Sequence, residues 1–122
     1  MKFTIQGRLA SLNTYINIER RNKYAAASFK KEQEAIVGWA IKQYKLKPVK
    51  LYPVKLNIIW YEKNSRRDRD NIQIGTKFIQ DALVKNGILI DDAPKYVKYL
   101  NNCEFHIDKE YPRIEIQIME GI

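Results

Sequence analysis

Carboxylates and arginines alternate at the start of one segment of the sequence, from position 66 to position 92. Five of the six aspartates of the chain lie in this segment, which has no glutamate: Asp68, Asp70, Asp81, Asp91 and Asp92. Three arginines flank the first two of them, namely Arg66, Arg67 and Arg69. Short carboxylates are preferred ligands of hard divalent cations, and guanidinium groups bind phosphate oxygens. The segment therefore predicts a cation site beside a phosphate-binding surface. The alternative is a polar turn, a solvated helix and a second polar turn.

The middle of this segment has the spacing of a helix. Its apolar positions recur at helical intervals, at Ile72, Gly75, Ile79 and Ala82. Asp70 and Asn71 are suited to cap its start, and Asn86-Gly87 is suited to end it. A helix over residues 70–86 would run about 24 Å, and a strand-like return over residues 87–92 about 17 Å. This hairpin predicts that the last aspartate pair of the segment approaches the first.

The three parts of this segment together resemble the RusA family of Holliday junction resolvases. That family has a basic-Asp-x-Asp-Asn run, a helix that ends in Asp-Ala-Leu, and a later Asp-Asp pair. The corresponding residues here are Arg67-Asp68-Arg69-Asp70-Asn71, Asp81-Ala82-Leu83 and Asp91-Asp92. The resemblance covers nearly the whole chain in the order of its elements, and its specific part is the segment from Arg66 to Asp92.

The resemblance implies a magnesium-dependent endonuclease, with manganese as a substitute, that cuts four-way DNA junctions. The implied metal ligands are Asp68, Asp70, Asp91 and Asp92. Asp92 is the stronger candidate of its pair, and Lys77 takes the place of a functionally important lysine on the same helix. The implied catalytic residues are Asp70, Asp92, Asp68 and Lys77. Asp81 lies about 16 Å from Asp70 by helical rise, so we expect it to be structural or to contact another chain.

Contacts to DNA are expected from several side chains. The three arginines of the segment would bind the phosphate backbone, and Asn71 would either cap its helix or take a direct part. By resemblance, the Ser11–Tyr15 loop corresponds to a loop that touches DNA, where Asn13 would contact a phosphate or a base. A simple turn is the alternative for Asn13. Basic residues downstream are expected to bind phosphate, with a solvated helix start as the alternative: Arg20, Arg21, Lys23, Lys30 and Lys31.

The charge of the chain favours a polyanionic partner. The net charge of the 122 residues is +8. Residues 1–98 carry 20 Lys and Arg against 9 Asp and Glu, whereas residues 99–122 carry 2 against 5. Such asymmetry is typical of one polyanion-binding face and argues against a membrane surface, since no basic amphipathic helix stands out. No stretch is apolar enough to span a bilayer, no signal-peptide core is present, and the lone Cys103 fits a reducing cytoplasm.

The alternation of apolar and polar residues predicts one domain over residues 1–122, with the order β-α-β-α-β-β. Strands are expected at 2–9, 54–61, 96–107 and 113–118, and helices at 24–44 and 70–86. The helix at 24–44 is expected to bury Trp39. The second strand is expected to be central and covered on both faces, and Asn101-Asn102 to mark a bulge or turn. The predicted fold is a small α/β or α+β domain, a mixed sheet with helices packed on it.

Paired cuts at a two-fold symmetric junction call for two active sites, so we expect a homodimer. No organic cofactor is expected, because the chain has no Gly-rich phosphate loop. Two other classes stay open at this point. One is a nucleic-acid-binding module without catalytic activity, and the other is a metal-dependent nuclease for flap or RNA substrates.

Overall fold

The computed structural model describes all 122 residues. Its elements are β1 (Lys2–Gln6), α1 (Leu12–Arg21), α2 (Lys23–Gln43), β2 (Val54–Glu62), α3 (Arg69–Gln73), α4 (Gly75–Lys85), β3 (Val97–Ile107) and β4 (Arg113–Met119). The helix expected at 24–44 is α2 and the one expected at 70–86 is divided into α3 and α4, whereas α1 stands where a loop was expected. The α+β class and the order of the other elements are confirmed. No helix has the length and apolar character needed to cross a membrane.

The four strands form one mixed sheet in the order β1-β4-β2-β3. Strand β2 is antiparallel to β4 and parallel to β3, and β1 is antiparallel to β4. The α3–α4 pair is therefore the crossover connection of a parallel β-α-β unit, as parallel neighbours require. Strand β2 is central, as expected, whereas β3 is an edge strand.

The helices cover only one face of the sheet, so the expectation that β2 is covered on both faces is wrong. Alternate β2 residues are buried from Val54 to Glu62 and pack with α2 and α4 in a single core. The residues between them are only half-buried. Two of these, Ile59 and Tyr61, suggested a second buried face. Tyr61 is instead covered by neighbouring side chains, with the Arg113 guanidinium 3.8 Å from its ring centroid.

The helix at 24–44 was predicted with the right period but the wrong phase. Its buried apolar residues are Ala26, Val37, Ala40 and Ile41. Trp39 is 66% exposed, so its assignment to the core is wrong. The smaller Val37, Ala40 and Ile41, one and two positions away, are buried on the sheet, and the indole lies outside beside Lys42 and Lys85.

Two local features position the crossover helices. The helix expected at 70–86 is interrupted at Ile74, between α3 and α4. A Cβ atom added to Gly75 would lie 3.0 Å from the ring of the buried Trp60, so α4 approaches the sheet closely there. The predicted irregularity at Asn101-Asn102 is confirmed as a register shift in β3. The Asn102 carbonyl turned by this shift accepts hydrogen bonds from Trp60 Nε1 at 2.9 Å and Gln73 Nε2 at 3.0 Å.

Candidate functional site

A buried ion pair fixes the chain where it leaves β2. Glu62, the last residue of β2, is only 4% exposed. Arg67 donates from Nε and Nη2 to the two Glu62 carboxylate oxygens, both at 2.8 Å, and from Nη1 to the Leu9 carbonyl at 2.8 Å. A bidentate pair of this kind sets both position and orientation. The loop that precedes α3 is therefore held against the end of the sheet.

The ion pair with Glu62 engages the side chain of Arg67, which was expected to bind phosphate. Its side chain is 15% exposed, and three of its five N–H donors are used within the protein. The contacts that the structure shows for Arg67 are thus positional, and its contact with phosphate stays a prediction. Glu62 itself was missed from the sequence, although it continues the alternation of buried residues in β2.

Asp68 and Asn71 connect α3 to the start of α1. Asp68 Oδ1 caps α3 by accepting hydrogen bonds from the Asn71 backbone N–H at 3.0 Å and from Asn71 Nδ2 at 2.9 Å. Asn71 Oδ1 in turn accepts from the Asn13 backbone N–H at 2.8 Å. The capping role expected of Asp70 and Asn71 thus belongs to Asp68. The Ser11–Tyr15 segment is the capped start of α1 rather than a loop, with Ser11 Oγ accepting from the Thr14 N–H.

Exposed basic and acidic side chains surround the contact between α3 and the start of α1. Asp70 lies in the first turn of α3 and is exposed, as is Arg66. The Arg69 guanidinium lies 5.4 Å from the centroid of the Phe105 ring, which fixes it over the end of β3. A groove of about 330 Å³ runs along this end of the two parallel strands, and Arg69 is among the residues that line it.

Asp91 and Asp92 lie at the other end of the β-α-β unit. After α4, the buried Ile88 and Leu89 fix the chain beside the start of β2, where the Ile88 carbonyl accepts from the Val49 N–H. Asp91 is exposed, and its Oδ1 accepts from the Asp92 N–H at 2.8 Å. Strand β3 then begins opposite Val54.

The helix-and-strand hairpin predicted for residues 70–92 is therefore wrong. Residues 87–92 form no strand, and they do not return toward Asp68. The nine residues of β2 separate the two ends of the unit by about 26 Å. Within one chain, no group of three or more His, Cys, Asp or Glu side chains could hold a metal ion. The assignment of the four aspartates to a metal stays a prediction.

Asp81 links α4 to α2, which agrees with its expected structural role. Its Oδ2 lies 2.9 Å from Lys30 Nζ and 3.8 Å from Lys77 Nζ. The hydrogen bond to Asp81 raises the pKa of Lys30, so Lys30 is held as a charged partner of α4. Lys77 is more exposed, with 56% of its side chain accessible, and it lies about two helical turns beyond Asp70.

The remaining predicted DNA contacts surround the junction of α1 and α2. Arg20, Arg21 and Lys23 are all exposed, and Asn22 between them caps α2. By helical rise, Arg21 lies about 12 Å from Asn13 along α1. The structure thus places these cations at the far end of the helix whose start contacts Asn71. Their contact with phosphate stays a prediction.

The donor set at the end of β2 fits a magnesium ion in part. Mg²⁺ is typically held by one or two protein carboxylates, together with waters and substrate phosphates. Asp68 and Asp70 supply two carboxylates, and Asp68 Oδ2 has no hydrogen-bond partner within the chain. No protein-family model and no curated protein matches this chain.

Proposed function

We propose that this protein is a divalent-metal-dependent endodeoxyribonuclease that resolves four-way DNA junctions. The observation that carries the proposal is the meeting of two carboxylates, Asp68 and Asp70, with the exposed Arg66 and the fixed Arg69 at one end of the parallel strands. Ligands of α/β sheets commonly bind at the carboxyl ends of parallel strands. The choice of four-way junctions over other DNA rests on the resemblance of the segment from Arg66 to Asp92 to the RusA family.

Each residue then has a defined task. Asp68 and Asp70 would hold Mg²⁺ or Mn²⁺. Asp92, and Asp91 in support, lie at the other end of β2 and would join them only from a second copy of the chain. The bound metal supplies an activated water and neutralises charge at the phosphate. Arg66 and Arg69 would hold the DNA backbone, as would the basic residues between α1 and α2.

Three further residues of the predicted site have separate tasks. Arg67 positions the loop through Glu62, because most of its donors are already used there. Lys77 is exposed on α4, and it would bind the scissile phosphate or stabilise its charge. Asn71 would keep Asp68 and the start of α1 in register through its three hydrogen bonds.

A nucleic-acid-binding module without catalytic activity is the second candidate. One observation favours it, namely that a single chain brings only two of the four aspartates together at this end of the sheet. Asp68 and Asp70 would then have only a structural role among the exposed cations. This candidate predicts binding of junctions and no cleavage with any metal.

The deciding assay compares a synthetic four-way junction with a linear duplex of the same sequence, each with Mg²⁺, Mn²⁺ or EDTA. Asp70→Asn should abolish cleavage and leave junction binding unchanged or tighter, because it removes negative charge near phosphate. Glu32→Gln, which removes one charge from an exposed position of α2, is the matched control and should cut normally.

Every outcome of this assay separates the candidates. Equal cleavage by wild type and Asp70→Asn would refute the metal assignment. Binding without cleavage by the wild type would establish the binding module. Equal cutting of the linear duplex would indicate a nuclease with another substrate. Asp91→Asn should also be milder than Asp92→Asn, and the reverse ranking would exchange their roles.

A further inference from the structure

A groove between α2 and the end of α4 has an exposed tryptophan in its wall. Trp39 of α2 is 66% exposed, whereas Trp60, the other tryptophan of the chain, is 1% exposed. The groove has a volume of about 460 Å³. Tryptophan is enriched at binding surfaces, because its large apolar ring also carries a polar N–H. Trp39 thus marks a candidate binding surface.

Lysine side chains surround this indole. Lys31, Lys42 and Lys85 line the groove, together with a single acidic residue, Glu34. Glu34 is already neutralised, because its carboxylate oxygens lie 3.8 Å from Lys30 Nζ and 3.9 Å from Lys85 Nζ. Lys31 and Lys42 are exposed and have no carboxylate partner within the chain. The groove therefore attracts an anionic ligand.

The floor of the groove is narrow and polar. A Cβ atom added to Gly38 would lie 3.3 Å from Asn86 Nδ2, so α2 and the end of α4 approach each other closely there. Asn86 Nδ2 donates to the Ala82 carbonyl at 2.8 Å, and this bond leaves Asn86 Oδ1 as a fixed acceptor without a partner in the chain. Because Gly38 carries no side chain, a flat ring beside Trp39 can reach this amide.

Single-stranded DNA fits this combination better than an acidic peptide or a second copy of the chain. Only two hydrophobic residues line the groove, Ala35 and Trp39. An acidic peptide would find no apolar pocket for an anchoring side chain, which peptide-binding grooves provide. A second copy placed by a two-fold axis would bring the same lysines against each other. A nucleobase needs only one aromatic face on which to stack, with cations for its flanking phosphates.

We propose that this groove binds single-stranded DNA, with one unpaired base stacked on Trp39 and the flanking phosphates bound by the three lysines of the groove. Along α2, Lys31 and Lys42 lie about 16 Å apart by helical rise. Their separation lets them contact phosphates on either side of the stacked base. Asn86 Oδ1 then accepts a hydrogen bond from the edge of that base.

The groove is separate from the aspartates at the end of β2. Asn86 follows the last turn of α4, whereas Asp70 lies in the first turn of α3. The 11 residues of α4 that stand between them span about 16 Å. Binding in the groove thus does not rest on the proposed nuclease, and it can be measured in EDTA, where no metal-dependent cleavage occurs.

Titration with a short oligothymidylate in EDTA tests the stacked base. The oligomer should quench the fluorescence of Trp39 and leave that of the buried Trp60 unchanged. An abasic oligomer with the same number of phosphates should bind more weakly and quench neither. By anisotropy of a labelled oligothymidylate, Trp39→Ala should weaken binding by about 5- to 150-fold, the range typical of a stacking ring. Trp39→Phe should recover part of the affinity, because a smaller ring still stacks.

The salt dependence of the same binding tests the lysines. Lys42→Ala should reduce the slope of the logarithm of affinity against the logarithm of salt concentration by about 0.7, because one phosphate contact of a single strand is lost. Lys2→Ala removes the same charge from an exposed position of β1 and should leave the slope unchanged.

Four results would overturn the proposal or one of its parts. Equal affinity of wild type and Trp39→Ala would refute the groove, as would binding that responds to Arg66→Ala instead. An abasic oligomer bound as tightly as oligothymidylate would refute the stacked base. A polyglutamate peptide that quenches Trp39 and binds more tightly than the oligomer would assign the groove to an acidic protein segment.

The two proposals can fail separately. A wild type that binds oligothymidylate through Trp39 but never cuts a junction would refute the proposed nuclease and support the groove. A wild type that cuts junctions, while its affinity for the oligomer is the same as that of Trp39→Ala, would refute the groove and support the nuclease.

Discussion

The ion pair at the end of β2 gives the sharpest stability prediction. Replacing Arg67 by Ala removes both hydrogen bonds to the Glu62 carboxylate and the one to the Leu9 carbonyl. Glu62 keeps only Arg8, whose Nη1 lies 3.9 Å from Glu62 Oε1. The side chain of Glu62 is 5% exposed, so water cannot replace what is lost. The variant therefore leaves a buried carboxylate without a close partner.

The expected loss follows from this burial. Removing one partner of a buried ion pair costs about 3–5 kcal/mol, because an uncompensated charge is left in the interior. We take about 3 kcal/mol, because Arg8 stays within reach. An unfolding entropy of about 2.1 cal/mol/K per residue gives about 0.26 kcal/mol/K for a chain of this size. Arg67→Ala should then lower the melting temperature by about 12 °C.

Thermal and urea unfolding of four proteins would measure this loss. Arg66→Ala, a change at the exposed neighbour, should stay within about 0.5 kcal/mol of wild type. Glu62→Gln/Arg67→Ala should be more stable than Arg67→Ala, because a buried amide costs less than a buried charge. An Arg67→Ala protein as stable as Arg66→Ala would refute the role of the ion pair. A double variant no better than Arg67→Ala would show that lost packing, rather than the stranded charge, causes the loss.

Two further predictions concern the crossover helix and the C-terminus. Gly75→Ala should destabilise the protein by about 1 kcal/mol in urea unfolding, because overpacking against the buried Trp60 exceeds the gain in helix propensity. An unchanged urea midpoint would contradict the close approach of α4 to Trp60. The backbone N–H groups of Lys50 and Leu51 donate to Glu120 and lower its pKa from an ordinary value of 4.5. A carboxylate with a lowered pKa stabilises the fold above its ordinary pKa and loses that effect as the pH falls through the lowered value. Glu120→Gln should thus melt below wild type at pH 7 and together with it near pH 2, and a gap that persists in acid would refute this linkage.

Apart from α1, the order of the elements could be predicted from the sequence, because hydrophobic period depends on local geometry. Strands alternate and helices repeat at 3.6 residues wherever one face is buried. The phase of α2 could not be predicted in the same way. Trp39 is the largest side chain of its stretch, yet the space above the sheet is filled by Val37 and Ile41. Which stripe faces inward depends on the shape of the layer beneath, and that shape is set by residues distant in the chain.

Only part of the predicted geometry of the candidate site is found. Asp68 and Asp70 lie together, whereas Asp91 and Asp92 do not approach them. The cluster at Asp68 and Asp70 forms because its residues lie within one loop and one helical turn. The approach of Asp91 and Asp92 was inferred from lengths along the chain, which fix how far a segment reaches but not in which direction it turns. The burial of Ile88 and Leu89 decides that direction, because it holds the chain at the start of β2.

The parallel pairing of β2 and β3 makes this separation unavoidable. In a β-α-β unit, the connection leaves the first strand at one end of the sheet and enters the second strand at the opposite end. Residues 66–70 lie where the connection leaves β2 and residues 91–92 where it enters β3, so no side-chain rotation within one chain brings them together.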